Sequence, residues 1–142
     1  MVSEDPNGPM QSQIDLAEAL LFAEAVFGIP AERLLRLVPL EDLEEALAAP
    51  FATVAGGVHL HHDPVERAVL CCSRIARDFI FPGDNRGIGF VYMREMLDRD
   101  GFRWTEEDPT EIAGMIERLA RHEVFHDEFV RWVRARTVPH AG

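Results

Sequence analysis

Apolar residues along this chain mostly fall three and four apart, the spacing of one face of an α-helix. Ile14, Leu16, Ala17, Leu20, Leu21 and Ala25 form a first stripe, which Gly28 stops. Pro30 suits the first turn of a second, short helix through Leu37. Pro39 permits a third start, with Leu40, Leu43, Ala46 and Leu47 in register and Pro50 beyond its end. Phe51–Leu60 breaks this rhythm. It mixes β-branched residues with Gly56-Gly57, the pattern of a short hairpin.

Asp63-Pro64 then supplies an N-cap and a first-turn proline for a helix through about Asp78. Its apolar positions are Val65, Ala68, Val69, Cys72, Ile75 and Phe79. After a break at Phe81–Gly83, a helix over about 85–99 carries Ile88, Val91, Tyr92 and Met96 on one face. Phe90, Met93 and Leu97 lie on another. Apolar residues most of the way round predict a central, largely buried helix, with Gly101 at its end. Asp108-Pro109 opens the next helix, with Ile112, Met115, Ile116 and Leu119 in register. A last helix from about Asp127 carries Phe129, Trp132 and Val133. The pattern predicts an all-α bundle with one small hairpin. One domain spans about 12–137, between a polar tail at 1–11 and a short one at 138–142.

At 142 residues the chain is long enough to bury a real core. No run of 18 apolar residues occurs, so no membrane span is expected. The start, Met1-Val2-Ser3-Glu4-Asp5, carries acid where a secretory signal has basic residues, which predicts a cytoplasmic protein. A net charge of −11 repels phosphate backbones and disfavours nucleic-acid partners. Adjacent Cys71 and Cys72 point in different directions on a helix, so reduced, buried thiols are expected rather than a mutual disulfide.

The break between the two middle helices reads Phe79-Ile80-Phe81-Pro82-Gly83-Asp84-Asn85-Arg86-Gly87. It resembles the signature loop of the Fic/Doc (Fido) family, roughly His-x-Phe-x-Asp/Glu-Gly-Asn-x-Arg. That family transfers AMP or phosphate from a nucleotide to protein hydroxyls. The order of elements over 12–137 is similar as well: hairpin, helix, loop, central helix, two more helices. The resemblance implies a compact Doc-like bundle with Gly83, Asp84, Asn85, Arg86 and Gly87 around a nucleotide or other anion. It also implies a target-binding flap at Thr53, Val54, Gly56, Gly57 and Val58, where a protein partner adds a strand. ATP and Mg²⁺ would be the cofactors of an active member.

The chemistry of that loop is incomplete here. Phe79 stands at the position of the family's histidine, the general base, and accepts no proton at any pH. Gly83 offers no carboxylate for a magnesium ion, and Gly87 stands where the family has arginine. Asp84 and Arg86, each one place displaced, are candidates to take over metal and phosphate contacts, and Asn85 is retained. The loop admits three readings: a plain helix-capping turn with Phe79 and Phe81 in the core, an inert anion pocket, or a divergent transferase. The expected function is a catalytically impaired Fic/Doc-like domain that binds a protein partner or nucleotide, in a toxin–antitoxin or regulatory setting.

Two other motifs carry metal-ligand residue types. His122-Glu123-Val124-Phe125-His126 matches His-Glu-x-x-His, which on one helix would present both histidines to zinc. The expected helix junction near Asp127 and the missing third ligand predict no zinc. His59, His61 and His62 suggest a surface patch, with His59 and His61 on one side if they share a strand. The acidic stretch Trp104–Asp108 reads as a solvated loop feeding a helix N-terminus.

Overall fold

The computed structural model describes residues 12–105 and 108–140. The tail at 1–11, Glu106, Glu107 and residues 141–142 lie outside the described residues. Among those described there are seven helices: α1 (Leu16–Phe27), α2 (Ala31–Leu37), α3 (Leu40–Ala48), α4 (Pro64–Asp78), α5 (Asn85–Arg99), α6 (Pro109–Ala120) and α7 (His126–Arg134). Among the described residues, no helix is long and apolar enough to cross a membrane. The punctuation works as its chemistry requires. Asp15 and Glu18 form a reciprocal capping box at the start of α1. Gly28 ends that helix in the left-handed conformation, with φ 70°. Asp63 and Asp108 cap α4 and α6, each followed by a proline at the first helical position.

The centre of the molecule is the α4–α5 pair, the most extensive contact between any two elements. Ile88, Tyr92, Met93, Met96 and Leu97 of α5 are buried, and Phe90 and Val91 are half-buried against the core. Gly89 lets the helices approach closely. A Cβ placed there would lie 3.1 Å from the Cys72 carbonyl oxygen. The Tyr92 hydroxyl donates a 2.7 Å hydrogen bond to the Ala19 carbonyl and fixes α1 across the pair. Burial pushes the Tyr92 phenol well above its ordinary range. Arg99 at the end of α5 donates to Glu18 at 2.6 Å and holds that carboxyl below its usual range. Cys71 and Cys72 are both buried free thiols, and burial raises Cys71 to about 12.

The structure departs from the sequence pattern in its strands. The expected hairpin is present as β1 (Thr53–Val54) and β2 (Val58–His59), paired in register Val54 to Val58. A second two-stranded ribbon was not anticipated: β3 (Phe102–Trp104) pairs antiparallel with β4 (Thr137–Pro139). Trp104 is therefore a buried strand residue rather than part of a solvated loop. Its ring meets Phe90 edge-on at 5.4 Å and Trp132 at 5.6 Å. Val138 and Pro139, read from sequence as tail, belong to this second ribbon.

Candidate functional site: the loop between the central helices

Helix α4 ends with Phe79 in the left-handed conformation, φ 50° and ψ 46°. The reversal swings its side chain off the apolar stripe, and Phe79 is 74% exposed. The expectation that Phe79 is core is thus corrected. Ile80 and Phe81 enter the core in its place. Left-handed backbone costs a side-chain-bearing residue about 1–2 kcal/mol. Glycine's extra freedom when unfolded offsets about 0.5–1 kcal/mol of that. With little burial to lose, Phe79→Gly is expected to stabilise the protein by about 0.5 kcal/mol. Urea unfolding checks this. A lower midpoint would mean that the exposed ring contributes more than its backbone costs.

Asn85 organises the turn between the two helices. Its buried amide accepts from the Phe81 N–H at 2.8 Å. It donates back to the Phe81 carbonyl at 2.9 Å and to the Gly83 carbonyl at 3.1 Å. One side chain thus satisfies three backbone groups of a tight loop, as a buried amide must. Asp84 is the N-cap of α5, and its carboxylate accepts from the Gly87 N–H at 2.9 Å. Gly87 leaves room for that cap, since a Cβ there would lie 2.3 Å from an Asp84 carboxylate oxygen. Gly83 is equally confined, because its Cβ would lie 2.9 Å from the Phe27 ring. Arg86 pairs with Glu117 on α6, which also pairs with Arg121 at 2.7 Å.

The structure therefore brings Gly83, Asp84, Asn85, Arg86 and Gly87 together at the start of α5, with the Asp84 and Asn85 side chains turned onto loop backbone and Arg86 paired with Glu117. The hairpin residues lie on a separate element. Thr53, Val54, Gly56 and Val58 are exposed and Gly57 is half-buried. Gly56 and Gly57 turn the chain with φ 88° and 77°, values that strain other residues. Leu60 continues the ladder by donating to the Ala52 carbonyl at 2.9 Å.

The histidine motifs are dispersed. Helix α6 ends at Ala120 and α7 begins at His126, with His122 left-handed at φ 60° between them. His122 and His126 are not one helix turn apart on a common face. His126 instead lies 3.5 Å from Glu66 of α4. Strand β2 stops at His59, so His61 is not on the strand as supposed, and its carbonyl accepts from Arg67 at 2.9 Å. Among the described residues, no group of three or more His, Cys, Asp or Glu side chains is placed to hold a metal.

A cavity of about 420 Å³ opens beside the loop, between α5 and α6. Its wall includes Gly87, Phe90 and Arg94 from α5 and Ile112, Ala113 and Ile116 from α6. The sequence pattern marked the two isoleucines simply as core. Nothing in their spacing distinguishes a helix pair that closes from one that gapes.

No family model, curated protein or solved structure matches the chain. Whether ATP and Mg²⁺ suit the loop is thus a question for its geometry. A helix N-terminus holds phosphate through unspent N–H groups. Here the Asp84 carboxylate takes the Gly87 N–H, and a carboxylate-bearing side chain at position 83 would have to displace Phe27. Position 83 thus has no room for the carboxylate by which the family holds its metal.

Proposed function

We propose that this chain is a degenerate Fic/Doc-like domain that acts by binding a protein partner rather than by group transfer. The observation that carries the proposal is the internal engagement of the loop. Asp84 caps α5, Asn85 ties Phe81 and Gly83, and Arg86 pairs with Glu117. Phe79 stands where a proton acceptor would be needed and turns outward. A second feature supports binding through the hairpin. Val54, Val58 and Leu60 are 49%, 52% and 57% exposed on a two-stranded ribbon in which both strands are edges.

Two measurements test this. Incubation with labelled ATP, Mg²⁺ and cell lysate is expected to give no transferred label, from the natural chain or from Phe79→His. Loss of a general base alone removes about 10²–10⁴-fold of rate. Restoring one leaves the capped helix end unchanged. Label transfer by either protein would favour a divergent transferase of AMP or phosphate instead. Capture of a partner by the natural chain is expected to fail with Val54→Asp plus Val58→Asp, although helix content is kept. Undiminished capture would exclude the hairpin.

A further inference from the structure

We infer that the cleft between α5 and α6 is a binding site for a small, uncharged, predominantly apolar molecule. Its size comes first. A volume of about 420 Å³ lies within the range of small-molecule pockets, roughly 300–1,000 Å³. Its chemistry comes second. The floor is Phe90, Ile112, Ala113 and Ile116, with no polar side chain among them.

The charges that reach the rim are engaged by protein. Glu117 is paired with both Arg86 and Arg121. The Asp84 carboxylate is turned onto the Gly87 N–H. Arg94 lies over the Phe90 ring, 5.8 Å from its centroid. A charged ligand entering here would lose its hydration and meet groups already paired, which is costly. An apolar ligand loses nothing of that kind and gains by burial.

Length favours a compact occupant over a helix lying along the cleft. From Asp84 to Arg94 the cleft follows the start of α5 for only about 15 Å at 1.5 Å per residue. The Arg86–Glu117 pair bridges the two helices at one end, and Arg94 faces Pro109 at the other. Such a seat takes a compact molecule. This site is separate from the hairpin but shares Asp84, Arg86 and Gly87 with the loop, so ATP is included in the test.

The test uses the full chain and N-phenylnaphthylamine, a neutral dye that brightens in apolar surroundings. Saturable binding at one dye per chain is expected. Trp104 packs edge-on against Phe90 and Trp132 against Trp104, so tryptophan emission should change over the same titration. Ala113 is exposed, so Ala113→Phe fills the cleft without disturbing the core, and circular dichroism verifies the fold. That variant should bind the dye about tenfold more weakly or worse. Millimolar ATP should not displace the dye. Unsaturable binding, equal binding by Ala113→Phe, or displacement by ATP would each overturn the inference. Sedimentation of both proteins should agree. A dimer that Ala113→Phe converts to a monomer would assign the cleft to a second copy and overturn it too.

Discussion

Asn85→Ala is expected to destabilise the protein by about 3 kcal/mol, because leaving buried groups unpaired costs about 1–3 kcal/mol each. The Phe81 N–H loses its acceptor inside the core, and the Phe81 and Gly83 carbonyls lose their donor. For a domain of this size the melting temperature should fall on the order of 10 °C. Asn85→Asp separates the contributions. It keeps an acceptor for the Phe81 N–H but sets a carboxylate against two carbonyl oxygens, so it should rescue nothing. Thermal unfolding that is unchanged in Asn85→Ala would show that the loop is held by its apolar anchors Ile80 and Phe81 instead.

A larger loss is expected at the seam of the central helices. Gly89→Leu places a side chain where even a Cβ meets the Cys72 carbonyl at 3.1 Å and the Ile75 Cβ at 3.6 Å. Overpacking a well-filled core costs typically about 1–3 kcal/mol. Here the obstruction includes backbone that cannot change rotamer, so the cost should exceed about 3 kcal/mol, a large part of a total near 5–15 kcal/mol. Gly89→Ala should come out near neutral, since about 1 kcal/mol of helix propensity opposes the crowding. Denaturant titration of both variants checks this. A mild Gly89→Leu phenotype would mean that α4 and α5 part easily, contrary to their close approach at Gly89.

The helices were legible because their signals are local. Gly28, Asp63-Pro64 and Asp108-Pro109 act on their own backbone, and stripes such as Ile112, Ile116 and Leu119 need only one turn of helix to declare themselves. The ribbon of Phe102–Trp104 with Thr137–Pro139 was not legible. Three residues carry too little alternation, and the partner strand lies more than thirty positions away. Phe79 misled for a different reason. It continues the α4 stripe in sequence, but one left-handed residue takes it out of the helix. The loop was half legible: capping by Asp84 or Asn85 follows from residue type, whereas the inward turn of Asn85 needs the folded backbone. The α5–α6 cleft left no trace, since Phe90, Ile112 and Ile116 fit a closed core equally well.

The contact between positions 84 and 87 restricts how the loop can change over time. Any side chain at 87 competes with the Asp84 carboxylate for the same space, so it displaces a helix cap that contributes about 1 kcal/mol. Once position 84 is glycine, no cap remains to displace and the same change at 87 carries no such cost. Position 83 has a similar dependence on Phe27, whose ring must move before anything larger than glycine fits. Replacements in this loop are therefore ordered rather than independent. A chain with Asp84 and Gly87 therefore tends to keep both, because a side chain at 87 is unfavourable before position 84 changes and open only after it.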